Sequence, residues 1–206
     1  MKAAIHGVYL VTDTNIQDSY SHLEIAELAI AGGVDVIQFR DKKMAANEAY
    51  KIANTIAQLC KKANIPFIVN DRVDLALAVD ADGVHLGQND LPLKEARQLM
   101  GSNKIVGGTA STLEEAKQVQ QNGADYLGFG HIYETKTKKK DYAPRGVQML
   151  REVCRNLDIP VIAIGGINAE NAGEVMQQGA AGFAVTSAIC AADNPQEATQ
   201  ILRKFL

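Results

Sequence analysis

The sequence predicts an α/β fold, a (β/α)8 barrel forming one domain over residues 1–206, and three observations carry that prediction. Short apolar runs alternate with helical periodicity along the whole chain, and eight candidate strands fit into 206 residues. Several of those runs are nearly continuous in apolar residues, as parallel strands covered on both faces must be. Two coarse echoes also recur, a glycine shortly before a strand at Gly33, Gly123 and Gly179, and a Gly-Gly pair near Gly107 and Gly165. Repeated βα units produce such echoes. A doubly wound open sheet explains the alternation equally well but normally needs fewer strands.

In chain order, residues 8–11 form the first strand, ending at Thr12 and Asp13. After a polar loop, Ser21 caps a helix running to Ala31, with Glu24 at the reciprocal capping position and Gly32–Gly33 as its stop. Residues 34–39 are the second strand. Asn47 to Lys62 is a long helix whose apolar face is read as Ile52, Ile56, Leu59 and Ala63. The central stretch, Ile65 to Asp90, reads as strand 66–69, short helix 73–79 and strand 81–86. Pro92 opens a helix to Met100, where its missing N–H costs nothing. A fifth strand over 104–108 leads into GGTAS, and Thr112 caps a helix over 113–121, with Glu115 at the reciprocal position. Residues 124–130 are the sixth strand, and the long polar stretch 131–146 is a loop of a length that is often functional. The remaining elements are helix 146–155, strand 159–166, helix 169–178, strand 180–186 and a closing helix 195–205.

Composition narrows the function. The net charge is −3, from 21 basic and 24 acidic residues, and the one dense basic run is Lys136 to Lys140, which argues against a nucleic-acid surface. Cys60, Cys154 and Cys190 are odd in number and widely spaced, so a secreted disulfide framework is not expected. The N-terminus lacks a signal-peptide pattern, and no apolar stretch reaches the roughly 20 residues of a membrane helix. A soluble, cytoplasmic protein without membrane or nucleic-acid partners is therefore expected; the sequence leaves a homodimer open.

In a parallel barrel, residues after every strand face one mouth. Asp71 and Asp90 would meet there as oxygen ligands for a hard divalent cation shared with phosphate oxygens. Either Asp could equally be a loop or capping residue. Arg40, Lys42 and Lys138 bring positive charge to these carboxylates, and Gln38 is an amide where the strand otherwise wants carbon. Asn70, Thr109, Thr135 and Thr137 add neutral polar groups. Gly165 and Gly166, with Thr186 and Ser187, look like a second anion site, although Gly-Gly also makes a plain tight turn. A diphosphate with metal at one site and a monophosphate at the other predict two phosphorylated small-molecule substrates, or one long one. His131 directly follows a strand and could carry a proton, or simply pack. His85 is read as satisfying a strand or loop hydrogen bond, and His6 and His22 receive no chemistry.

The segments QFRDK, VNDRVDLALAVDADGVHLGQND, GGTAS, GADYLGFGHIYETKTK, IPVIAIGGI and VTSAI, in that order, resemble thiamine phosphate synthases over essentially the whole chain, a family of TIM barrels. The resemblance implies a transferase condensing 4-amino-2-methyl-5-hydroxymethylpyrimidine diphosphate with thiazole phosphate, or its carboxylate form, to thiamine phosphate and diphosphate. It implies Asp71 and Asp90 as Mg²⁺ ligands, with Arg40, Lys42, Asn70, Thr109 and Lys138 around the diphosphate. It further implies Gln38 at the pyrimidine and Thr135, Thr137, Gly166 and Ser187 at the thiazole phosphate. Departures from the family pattern are Thr109, where Ser is usual, and His131, where Pro is common. GFGHIYET is also similar to thiazole tautomerases, a sister family in which the matching His is an acid/base. Those enzymes tend to lose the carboxylate pattern that is intact here. A barrel that binds thiamine precursors without turnover is the non-enzymatic alternative.

Overall fold

The structure, a computed structural model, describes residues 3, 5–135, 137 and 141–206. Its strands are β1 Gly7–Val11, β2 Val36–Phe39, β3 Phe67–Asn70, β4 Gly83–Leu86, β5 Ile105–Ala110, β6 Tyr126–Gly130, β7 Val161–Ile164 and β8 Gly182–Val185. The intervening helices are α1 His22–Gly32, α2 Ala46–Ala63, α3 Val73–Ala78, α4 Leu93–Met100, α5 Leu113–Gln121, α6 Gly146–Asn156 and α7 Ala172–Met176. Two more follow β8, the one-turn α8 Ser187–Cys190 and α9 Pro195–Arg203. All strands pair in parallel, each with its neighbours in sequence, and β8 returns to β1, so the sheet is a closed barrel. The barrel alternative is therefore the correct one, and among the described residues no open sheet edge remains.

Strand alternation divides the core in two. Val8, Leu10, Ile37, Val69, Val84, Leu127 and Phe183 point outward against the helices. Tyr9, Val36, Ile68, Ile105, Tyr126 and Ile162 fill the interior. The capping box of α1 forms as expected: Ser21 Oγ accepts the Glu24 N–H at 3.3 Å, and Glu24 Oε2 accepts the Ser21 N–H at 2.8 Å.

Three local expectations shift. The buried face of α2 is Ala49, Ala53, Ile56 and Cys60, and Ala63 is exposed, so the helix is rotated from the predicted stripe. α7 begins three residues later than expected, because Asn168 Oδ1 takes the Glu170 N–H at 2.8 Å and Asn171 Oδ1 takes the Asn168 N–H at 2.9 Å, turns that compete with the helix. At α5, Thr112 accepts the Glu115 N–H, but the Glu115 carboxylate reaches past the cap to Ser111 N at 2.7 Å and Ser111 Oγ at 2.9 Å.

The base of the barrel explains the echo in the sequence. Before β2, β4, β6 and β8 stands a residue with positive φ, at Gly33 (88°), Asp80 (52°), Gly123 (83°) and Gly179 (91°). Two residues later the backbone N–H of Asp35, Asp82, Asp125 and Ala181 bonds to the carbonyl of Val8, Phe67, Val106 and Val161 respectively. In the first three units the Asp carboxylate also accepts the N–H of that same partner, at 2.8, 2.9 and 2.8 Å. The fourth unit has Ala181 and cannot. These aspartates tie the strand starts together at the end opposite the mouth.

Candidate active site

The mouth holds a cavity of about 1060 Å³ of space open to solvent, lined by residues of all eight strands or the loops that follow them. Gln38, Arg40, Asn70, Thr109 and His131 line it, as do Thr135, Thr137, Gly166, Thr186 and Ser187. Lys42, Asp71 and Asp90 sit beside this set: Lys42 Nζ is 3.2 Å from Asp71 Oδ2, and Asp90 is within hydrogen-bonding reach of Asp71. Lys138 lies outside the described residues. The closed barrel is what gathers these residues, since each leaves the C-terminal end of a strand or the loop beyond it.

The two carboxylates converge by backbone geometry. Asp71 has φ 62°, a left-handed conformation costing a non-glycine residue on the order of 1 kcal/mol. Its N–H is anchored on the His85 carbonyl at 2.9 Å. Asp90 Oδ2 accepts the Gly87 N–H at 2.7 Å. Burial, followed by the adjoining Asp71 carboxyl, pushes the Asp90 carboxyl above the usual carboxylate range, against the pull of the Gly87 N–H and of Lys42. Two carboxylates forced together in this way fit a hard cation that completes its shell with phosphate oxygens and water. Among the described residues no group of three or more His, Cys, Asp or Glu side chains gathers as a metal site.

Arg40 is not a free counter-charge for that pair. Its guanidinium is paired with the buried Asp13, which fixes its direction. His22, for which no partner was evident from spacing, is buried with Nδ1 2.8 Å from Thr12 Oγ1 and Nε2 3.1 Å from Asp41 Oδ2. Burial works against the charge on Asp41, but the Lys43 N–H, His22 and the Met44 N–H hold its carboxyl below the usual range. This cluster pins the loop that carries Arg40 and Lys42.

His131 is buried, and both its ring nitrogens face carbonyl oxygens, Nδ1 at 3.0 Å from Tyr133 O and Nε2 at 3.0 Å from Tyr142 O. Its ring lies 5.2 Å from that of Tyr142, on which the Arg145 guanidinium stacks at 4.3 Å. In this arrangement His131 ties the two ends of the 131–145 loop together. Gly165 and Gly166 have φ of 102° and 69°, and a Cβ on Gly166 would come within 2.8 Å of Tyr133 Cβ. The Gly-Gly pair therefore admits the crossing 131–134 segment as well as opening onto the cavity.

Sequence reasoning missed the two tyrosines of the floor, while His85 makes hydrogen bonds to strand residues as expected. Tyr9, His85 and Tyr126 project inward beneath the cavity, with Ile162, Ile164 and Ala184 as an apolar wall. Burial raises the pKa of both tyrosines, so they remain neutral phenols. The available signal was a tyrosine at an inward strand position, Tyr126, paired across to Gly107 on β5 and followed two residues later on its own strand by Gly128. Elsewhere, burial pushes the thiols up to about 12 at Cys60 and Cys190 and about 11 at Cys154, so the cysteines act as packing groups.

Comparison with known proteins agrees with this geometry. Residues 8–189 match a protein-family model described as thiamine monophosphate synthase. The thiamine-phosphate synthase of Chloroflexus aurantiacus is 47% identical over 199 residues, covering 97% of this chain and 92% of that protein. That of Natronomonas pharaonis is 46% identical over 198 residues, covering 95% and 92%. A solved thiamine phosphate pyrophosphorylase from Pyrococcus furiosus superposes with a TM-score of 0.90 at 41% identity, covering 97% of this chain and 94% of its own. A 3-hexulose-6-phosphate synthase, at 18% identity and a TM-score of 0.72, shares the fold alone.

Proposed function

We propose that this chain, which belongs to the thiamine monophosphate synthase family, condenses 4-amino-2-methyl-5-hydroxymethylpyrimidine diphosphate with thiazole phosphate to give thiamine phosphate and diphosphate. The observation that carries the reading is one cavity with two polar ends on opposite halves of the barrel. Arg40, Asn70 and Thr109, from β2 to β5, stand at one end beside the Asp71–Asp90 pair. Thr135, Thr137, Gly166, Thr186 and Ser187, from β6 to β8, stand at the other.

The C–O bond from the pyrimidine methylene to diphosphate breaks with its electron pair going to the diphosphate oxygen, and the thiazole nitrogen then forms the C–N bond. Arg40, held by Asp13, and Lys42, beside Asp71, neutralise the leaving group, while Asn70 and Thr109 donate hydrogen bonds to it. Lys138 belongs to the same role. Gln38 reads the pyrimidine ring. The Ile162–Ile164 wall keeps water from the carbocation, and the far end holds the thiazole phosphate so that its nitrogen faces the methylene. Asp71 and Asp90 would hold Mg²⁺, which supplies further charge neutralisation to the departing diphosphate. No protein nucleophile is required. This reading carries with it a single catalytic domain over 1–206 and a cytoplasmic location, in keeping with three free thiols, and no described helix is long and apolar enough to cross a membrane.

A tautomerase would use His131 as its proton carrier. Each of its ring nitrogens lies 3.0 Å from a loop carbonyl, a placement that suits holding the loop and favours the synthase. The test is thiamine phosphate formation by purified protein with Mg²⁺ and with chelator, beside an assay on thiazole carboxylate phosphate, for wild type and His131→Asn. Metal-dependent condensation, retained within about tenfold in His131→Asn, is expected. No condensation, with rapid conversion of the carboxylate compound that His131→Asn abolishes, would make this protein a tautomerase. Saturable binding of both precursors without any turnover would make it a carrier.

A further inference from the structure

Beneath the cavity a string of hydrogen bonds crosses the barrel from one proposed substrate contact to another. Gln38 Nε2 is 2.7 Å from Tyr9 Oη, which is 2.7 Å from Tyr126 Oη. Tyr126 Oη is 2.9 Å from His85 Nδ1, and His85 Nε2 is 2.8 Å from Thr109 Oγ1. Both tyrosines are only 1% exposed, so water hardly competes for these bonds. Room for the string is made by two glycines. A Cβ on Gly107 would lie 2.6 Å from His85 Nδ1 and collide with the Tyr126 ring, and one on Gly128 would lie 3.0 Å from His85 Cε1. The barrel interior thus forgoes two side chains to admit a buried polar path.

Such a path has a direction, because each hydroxyl carries one proton and a neutral imidazole one N–H. Thr109 stands at the end of the cavity that takes the diphosphate, and phosphate oxygens only accept. With an anion bound, the Thr109 proton points out to it, so His85 Nε2 donates to Thr109 and His85 Nδ1 accepts from Tyr126. Tyr126 then accepts from Tyr9, and Tyr9 accepts from Gln38 Nε2. The group that Gln38 has left for the cavity is its carbonyl, Oε1. In the opposite direction the Thr109 proton would point inward and Gln38 would offer its NH₂ instead.

We propose that the path from Thr109 to Gln38 is a one-way relay through which the bound diphosphate sets Gln38 to present Oε1, so that the site selects a pyrimidine bearing an exocyclic amino group over one bearing an oxo group. Tyr9, Tyr126 and His85 are positioning residues in this relay, which rests on the synthase reading above. Specificity for one end of the substrate is then conditional on occupancy of the other, and the two arrive together only on the correct molecule.

The test is the Tyr126→Phe variant, which keeps the ring and removes the central hydroxyl, with Tyr9→Phe as an independent break in the same path and thermal melts to establish folding. Two quantities are read. The first is the change in affinity for the unphosphorylated aminopyrimidine alcohol when inorganic diphosphate is added. The second is the ratio of kcat/KM for the amino diphosphate to that for its 4-oxo analogue. In wild type, diphosphate should tighten the amino compound by about fivefold or more. Either Phe variant should reduce that factor to about one and narrow the amino-to-oxo ratio at least tenfold. Thr109→Val should also lose the coupling and Thr109→Ser should keep it. Equal losses on both substrates, with ratio and coupling intact in folded variants, would reduce these tyrosines to packing and overturn the relay while leaving the synthase standing. Wild-type protein that forms no thiamine phosphate would overturn both.

Discussion

At the base of the barrel, Asp35 accepts the Val8 N–H at 2.8 Å and pairs with Arg203 at 2.9 Å, and Asp125 accepts the Val106 N–H at 2.8 Å and pairs with Arg97 at 2.5 Å. At the mouth, Asp71 and Asp90 adjoin each other and share Lys42. The residue type is the same, but one pair precedes strand starts and the other follows strand ends, and the electrostatic outcome is opposite. Base carboxylates meet backbone donors and cations that belong to the fold, so their charge is already matched. Mouth carboxylates are brought together without enough internal partners, and Asp90 answers by resisting ionisation. Charge left unmatched by the fold is available to a ligand, while charge matched by it serves stability. This separation of ends is the general habit of the barrel.

The comparison breaks most severely at Asp71. Asp71→Ala should lower the rate of thiamine phosphate formation about a thousandfold, with a melting temperature at or above that of wild type. Near-normal turnover would mean that the carboxylate pair plays no part in holding metal and diphosphate. At the other end, Asp125→Ala strands the Val106 N–H and takes the carboxylate from Arg97. A loss of about 2 kcal/mol is expected, seen as a melting temperature lower by about 4–8 °C, with kcat per folded molecule unchanged. An activity loss without a stability loss there would erase the distinction between the two ends.

How much of this was legible beforehand follows from how local each signal is. The barrel was legible because periodicities of two and 3.6 are written in adjacent residues, and the Ser21–Glu24 box because its partners are three apart. The mouth residues were legible for a different reason: in a closed parallel sheet, being at the C-terminal end of a strand is enough to place a residue at the mouth, whatever its register. What stayed hidden depends on register. That Tyr9 meets Tyr126 requires knowing how far the strands are staggered around the barrel, and that Arg40 turns to Asp13 and His22 to Asp41 requires loop paths that no spacing encodes. The glycine echo before strands was visible only as repetition. Its meaning, a positive-φ residue followed in three of four units by a carboxylate that closes a backbone bond, needed the pairing of β1 with β2, β3 with β4 and β5 with β6.

The smallest expected effect separates the two kinds of carboxylate most cleanly. Because the Asp90 carboxyl is pushed above its ordinary value, the folded state holds its proton more tightly than the unfolded chain does. Its favourable contribution is therefore complete below the unfolded carboxyl value of about 3.9 and is lost as pH rises through the folded one. Asn at this position imitates the protonated acid permanently and can still accept the Gly87 N–H. In metal-free protein, Asp90→Asn should melt with wild type near pH 4 and above it at pH 7 to 8, by about 1–3 °C. Adding Mg²⁺ with inorganic diphosphate should raise wild type and not the variant, closing the gap by mass action. A gap that is constant with pH, or widest in acid, would mean that the two mouth carboxylates do not repel, and that the mouth is as internally balanced as the base.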